Sequence, residues 1–189
     1  MAGIYIHIPF CRKRCYYCDF HTSVNLKNKN SLVQSILKEL DLRIDYLKGE
    51  EIKSIYFGGG TPSLLNREEI ESILNKIKSN YSIDKNAEIT LEANPDDLDE
   101  KKIKEIHSCG INRLSIGLQS FDDDKLKLMN RRHDSSQAVN SVLLSKKLGF
   151  DNISIDLIYG LPGLTLNDWK STIEMALKLG IQHISSYHL

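Results

Sequence analysis

The sequence predicts an α/β fold in which six parallel strands alternate with helices and curl into a partial (β/α)6 barrel. Three observations predict it. Short β-rich runs alternate with stretches of helical period along all 189 residues, the pattern of parallel strands joined by right-handed crossovers. The composition, 41% hydrophobic and 26% charged, is that of one soluble domain with a proper core. Finally, glycines and polar residues collect where strands end: Cys11, Gly58 to Thr61, Glu92, Gln119 and Asp156. A barrel of the TIM-like kind gathers strand C-termini around one mouth, whereas an open doubly wound sheet spreads them along an edge.

Residues 4–9 form the first strand. Residues 31–49 read as a helix, because Leu32, Val33, Ile36, Leu37, Leu40, Ile44 and Leu47 recur at helical period and Gly49 can stop it. The second strand is 53–58. Asn66, with Glu69 three residues on, signals the start of a helix through Lys78. The third strand is 87–93, and Asp99 caps a helix that stops at Gly110. The fourth strand, 112–119, leads to a short helix near 122–130 and a longer one over 135–148, closed by Gly149. The fifth strand is 152–160. Asn167 is expected to cap a helix ending near Gly180, and 182–189 is the sixth strand.

Lys+Arg and Asp+Glu balance at 25 each, so bulk charge gives no sign of a nucleic-acid partner or an anionic membrane. No apolar run is long enough to span a bilayer, and the first ten residues lack the basic flank of a signal peptide. The expectation is a cytoplasmic protein with no transmembrane segment. Three of the four cysteines fall within eight residues; Cys109 stands apart, before Gly110, and reads as a small buried side chain.

The stretch Cys11-Arg-Lys-Arg-Cys15-Tyr-Tyr-Cys18 carries the strongest chemical signal. Soft thiolates select iron–sulfur clusters, zinc or copper(I). Three of them on a short loop can cap three irons of a cubane and leave the fourth open. Arg12, Lys13 and Arg14, between the ligands, can favour thiolate over thiol. The same cysteines also suit a structural zinc loop, with His7 or His21 as fourth ligand.

C-x3-C-x2-C directly after a first strand, with an aromatic before the third cysteine, resembles the radical S-adenosylmethionine (SAM) signature. The longer stretch YIHIPFCRKRCYYCDF is similar to the oxygen-independent coproporphyrinogen III oxidase family and its HemW-type haem chaperone branch. FGGGTPS, LEANPDDL, SIGLQSF, MNRRH and DLIYGLPG match that family in order, from Tyr5 to Leu189. The resemblance implies a radical SAM barrel over residues 1–189. It implies a [4Fe-4S] cluster on Cys11, Cys15 and Cys18, and SAM on the open iron, cleaved by an electron from the cluster to a 5′-deoxyadenosyl radical. SAM contacts are implied at Tyr5, at Tyr17 beside the adenosyl group, and at Gly59, Gly60 and Thr61. Further contacts are implied at Glu92, Gln119 and Asp156, and at Arg131, through a two-pronged contact with the SAM carboxylate. No residue stands out as a catalytic acid, base or nucleophile.

The sequence departs from the oxidase pattern at Phe20, where the oxidases carry a further cysteine. Cys18-Asp19-Phe20 is the form of the HemW-like branch. The resemblance therefore implies a chaperone that binds haem and delivers it to an acceptor protein. The rivals are the oxidase acting on a porphyrinogen, a radical SAM enzyme for another substrate, and the zinc module. The family's C-terminal region, with its His-Asn-x-x-Tyr-Trp motif, is expected to be absent, the chain stopping on strand six.

Overall fold

A computed structural model describes residues 2–189. Six parallel strands form one sheet in sequential order: β1 (Ala2–Ile8), β2 (Ile52–Gly59), β3 (Ile83–Ala93), β4 (Arg113–Gln119), β5 (Asn152–Tyr159) and β6 (His183–His188). A doubly wound sheet needs a point where strand order reverses. This order never reverses, and β1 and β6 remain unpaired with each other, so the sheet is a barrel left open on one side. The helices are α1 (Lys29–Leu42), α2 (Arg67–Asn80), α3 (Glu100–Ser108), α4 (Asp123–Leu128), α5 (Ser135–Lys147) and α6 (Leu166–Lys178).

Strand residues alternate strictly between two environments, because successive side chains point to opposite faces. One face is aliphatic. Ile6 and Ile8, Ile55 and Phe57, Leu91 and Ala93, Leu114 and Ile116, and Ile153 and Ile155 join buried helix residues such as Ile70, Ile73, Ile103 and Val142 in a single core. The other face is mostly polar, with Ile158 of β5 as an apolar exception at the cavity. Across β1 to β6 it presents Tyr5, Tyr56, Thr90, Arg113 with Ser115, Ser154 with Asp156, and Ser185, paired strand to strand in register. The hydrophobic core therefore lies between sheet and helices, and the lumen is free to be polar.

Helix starts follow their caps. Asn66 Oδ1 accepts from Glu69 N while the Glu69 carboxylate accepts from Asn66 N, the reciprocal box expected from the sequence. Asp99 caps α3 as expected, and Asp134 with Gln137 forms a second box on α5. Three expectations need correction. Thr165, not Asn167, caps α6, since Thr165 and Asp168 complete a capping box that starts two residues earlier. The helix expected over 31–49 ends at Leu42, with turns continuing to Gly49 at φ 79°. Its last apolar positions belong to those turns: Ile44 is exposed, and Leu47 packs on the core without a helix. Finally, β3 starts at Ile83, four residues before the apolar run, because Ile83 pairs with Ile52 and packs on the core, an irregularity separating it from the register that resumes at Glu88. Cys109 is buried, as read.

Phe57→Ala, at a fully buried site, should destabilise the fold by about 3–5 kcal/mol. Asn66→Ala should cost about 1 kcal/mol. Urea titration with an unchanged m-value checks both.

Candidate functional site

The strand C-termini open onto a cavity of about 530 Å³. All twelve residues singled out in the sequence line it: Tyr5, Cys11, Cys15, Tyr17, Cys18, Gly59, Gly60, Thr61, Glu92, Gln119, Arg131 and Asp156. They come from β1, β2, β3, β4, β5 and the loops after them, so only the fold brings them together.

The loop from Cys11 to Cys18 is held at several points. Cys11 N donates to Ser23 O at 3.0 Å, Tyr16 N to Met129 O at 3.2 Å, and Asn130 Nδ2 to Arg14 O at 2.7 Å. Gly60 lies against this loop so closely that a Cβ there would sit 2.8 Å from Phe10 O and 3.0 Å from Cys11 Sγ. Gly59 adopts φ 114°, and a Cβ would meet the His7 ring at 2.7 Å. Neither position admits a side chain. The Thr61 hydroxyl donates to Cys11 Sγ at 3.5 Å and accepts from Asn94 Nδ2 at 3.2 Å.

The cation within hydrogen-bond reach of a cysteine sulfur is Arg131, while Lys13 and Arg14 also line the cavity. Arg12 turns outward to Asp97 at 3.2 Å, and Arg14 reaches Cys18 O at 3.4 Å. Half-buried Arg131 places Nη1 3.4 Å from Cys15 Sγ and 3.3 Å from Tyr17 Oη. Its Nη2 donates to Asn94 Oδ1 and to Gly117 O, both at 2.7 Å. These contacts occupy both terminal nitrogens, so the two-pronged carboxylate contact expected of Arg131 is not available here. Its buried Nε lacks a partner. Burial pushes the Cys11 thiol up, against the Thr61 hydroxyl and Arg131, which pull it down.

Glu92 accepts from Tyr56 Oη at 2.7 Å and from Gly59 N at 3.0 Å. Burial raises its pKa, and these two bonds oppose the rise. Asp156 is likewise raised by burial, with Ser185 as hydrogen-bond partner. Gln119 is buried at φ 68°, beside an irregularity in the β4–β5 register, and its Oε1 has no partner. Tyr5 stacks on Tyr56 at 6.0 Å and bonds His7 Nδ1 at 2.9 Å, remaining largely exposed at the mouth. Tyr17 packs with Leu126, Met129, Ile158 and Leu161, a small apolar cluster under the loop.

The donor set fits an iron–sulfur cluster: three free thiols line one cavity beside the Arg131 guanidinium. Among the described residues, no three His, Cys, Asp or Glu side chains are grouped to hold a single metal ion. A cubane spreads its thiolates over separate irons. The pattern of the radical SAM superfamily matches residues 5–176.

The chain belongs to the radical SAM superfamily. That family implies a [4Fe-4S] cluster and SAM. This radical SAM chain is 40% identical to the heme chaperone HemW of Buchnera aphidicola (subsp. Acyrthosiphon pisum) over 189 residues, covering 99% of this chain and 50% of that protein. It is 37% identical to the Escherichia coli heme chaperone HemW over 190 residues, covering 99% and 50%. The chain thus spans about half the length of the curated relatives it matches. Among solved structures, the E. coli coproporphyrinogen III oxidase superposes with a TM-score of 0.88 at 30% identity, covering 98% of this chain and 43% of that one. No helix among the described residues is long and apolar enough to cross a membrane.

The sequence reading overlooked Asn94, which joins Thr61 to Arg131, and Tyr56, which holds Glu92. Asn94 lay inside the quoted LEANPDDL motif, so its signal was present. Tyr56 had none, since an aromatic on a strand reads as core. His133, in MNRRH, donates through Nε2 to Leu118 O at 3.0 Å, and its buried Nδ1 has no partner. Burial, with Arg131 nearby, pushes its pKa from 6.5 down to about 4. The unfolded chain therefore takes up a proton that the folded chain refuses. Stability should be full above pH 6.5 and fall by up to about 3 kcal/mol as pH drops toward about 4. His133→Gln should flatten that part of the pH–stability curve, followed by denaturant titration across pH.

Proposed function

We propose that this chain is the cluster- and SAM-binding core of a HemW-like haem chaperone, working in the cytoplasm and passing haem to an acceptor protein. The observation that carries the reading is Phe20. It lines the cavity, exposed, at the position where the coproporphyrinogen oxidases to which the chain is similar carry a further cysteine. The names of the curated relatives, matched over nearly all of this chain, support it.

In this reading Cys11, Cys15 and Cys18 hold the [4Fe-4S] cluster. When bound, the cluster supplies the electron for reductive cleavage of SAM, chemistry that belongs to the cofactors. The chain's own residues bind and orient. Gly59 and Gly60 let backbone groups approach SAM, and Thr61 secures the Cys11 side. Glu92, Gln119 and Asp156 offer acceptors to its amino and hydroxyl groups. Tyr5 and Tyr17 border it. Arg131 ties the cysteine loop to β4.

Anaerobic reconstitution with iron and sulfide should give about four irons per chain and a reduced-cluster paramagnetic signal that changes on adding SAM. Cys11→Ala, Cys15→Ala and Cys18→Ala should each abolish it. Haem should bind in stoichiometric amount, with no turnover of coproporphyrinogen III. Release of carbon dioxide from that substrate would overturn the chaperone reading in favour of the oxidase. Tightly held zinc without a cluster would sink both.

A further inference from the structure

The side chain of Asp97 is 4% exposed, and its carboxylate serves other parts of the chain rather than its own. Asp97 ends the short 3-10 turn Pro95–Asp97, and the next helix, α3, is capped by Asp99 instead. Both partners of Asp97 come from elsewhere. Ser63 Oγ, in the turn after β2, donates to Oδ2 at 2.9 Å. Arg12 Nε, in the cysteine loop, donates to Oδ1 at 3.2 Å. A buried carboxylate is tolerated only when it is paired and hydrogen-bonded, so Asp97 favours the one loop conformation that brings Arg12 to it.

The same turn reaches the loop a second time. Asn94, three residues before Asp97, donates to Thr61 Oγ1 and accepts from Arg131 Nη2. Thr61 in turn bonds Cys11 Sγ, and Arg131 reaches Cys15 Sγ. The turn is itself stiff. Pro95 fixes φ at its first position, Asp97 N donates to Asn94 O at 3.0 Å, and Leu98 N to Pro95 O at 3.2 Å. Asn94 works from the cavity lining, whereas Asp97, Arg12 and Ser63 line a separate depression of about 250 Å³.

We propose that Asp97 is a positioning residue for the cysteine loop. Through Arg12 it fastens the loop, at the position next to Cys11, to the turn after β2, and so fixes where the Cys11 sulfur stands. Neither Asp97 nor Arg12 lines the cavity, so neither touches a ligand bound there. The consequence for the cluster rests on the reading of Cys11 as an iron ligand; the hold on the loop does not.

Two measurements on the full chain test this. Hydrogen exchange of the Cys11 amide, bonded to Ser23 O at 3.0 Å, reports opening of the loop. Iron loss from the reconstituted protein to excess chelator, without oxygen, reports the hold on the cluster. Asp97→Ala should speed Cys11 exchange by about tenfold, leave the β5 amides unchanged, and speed iron loss. Arg12→Ala should do the same, and the double variant should go no further than either. Asp97→Asn keeps an acceptor for Ser63 and loses the charge, so its effect should be smaller; it takes over if the alanine variant does not melt cooperatively. Unchanged Cys11 exchange overturns the proposal. Equal acceleration in β5 overturns it too, since Asp97 would then merely support the fold, and so does an effect of the double variant equal to the two single effects combined. Faster exchange with unchanged iron loss removes the link to the cluster and overturns it equally. A wild-type chain that assembles no cluster sinks the reading of Cys11 as an iron ligand, and the exchange rates then decide the hold on the loop by themselves.

Discussion

The two faces of the sheet differ in chemistry, and most of the structure depends on that difference. Side chains alternate along every strand, so one register turns most of the strands' isoleucines and leucines toward the helices and most of their polar groups toward the lumen. Ile153, Ile155 and Leu157 go outward while Ser154 and Asp156 go inward, and neighbouring strands repeat the division. A closed eight-stranded barrel fills its interior with branched aliphatic side chains. This six-stranded sheet leaves β1 and β6 apart, and its hydrophobic core sits wholly between strands and helices. The interior can then hold arginine, serine, tyrosine and carboxylates without weakening the fold, provided that each finds a partner.

Most of them do. Arg113 is shared between Thr90 and Ser154, Glu92 between Tyr56 and Gly59, and Asp156 has Ser185. The exceptions cluster at the mouth, where Gln119 Oε1 and Arg131 Nε are buried without partners. Both belong to residues that line the cavity. A buried polar atom left unpaired is costly, and His133 Nδ1, away from the cavity lining, is unpaired as well.

Arg131 links this network to the cysteine loop. One guanidinium touches Cys15, Tyr17, Asn94 and the Gly117 carbonyl. It thereby joins a loop after β1 to the ends of β3 and β4. Positive charge close to the thiols thus comes from a residue more than a hundred positions away. Of the arginines between the cysteines, Arg12 pairs with Asp97, whereas Arg14 lines the cavity and reaches the Cys18 carbonyl.

Much of this protein could be read from the chain alone. The order and type of the elements followed from periodicity and caps, with Asn66 and Asp99 marking helix starts that the structure keeps. The cysteine spacing, the glycine turn and the polar residues on apolar strands named the cavity lining, because each is local: a ligand loop, a close approach, a misfit in a pattern. The end of α1 and the cap of α6 were misjudged, since apolar period continues through turns and two capping residues lay within one turn of each other. What only the tertiary structure decided was partnership. Tyr56 with Glu92, Arg131 with Cys15 and Ser154 with Ser115 are set by strand register and by how far the sheet curls. Those quantities join residues distant in sequence, and no local pattern encodes a distance across a sheet.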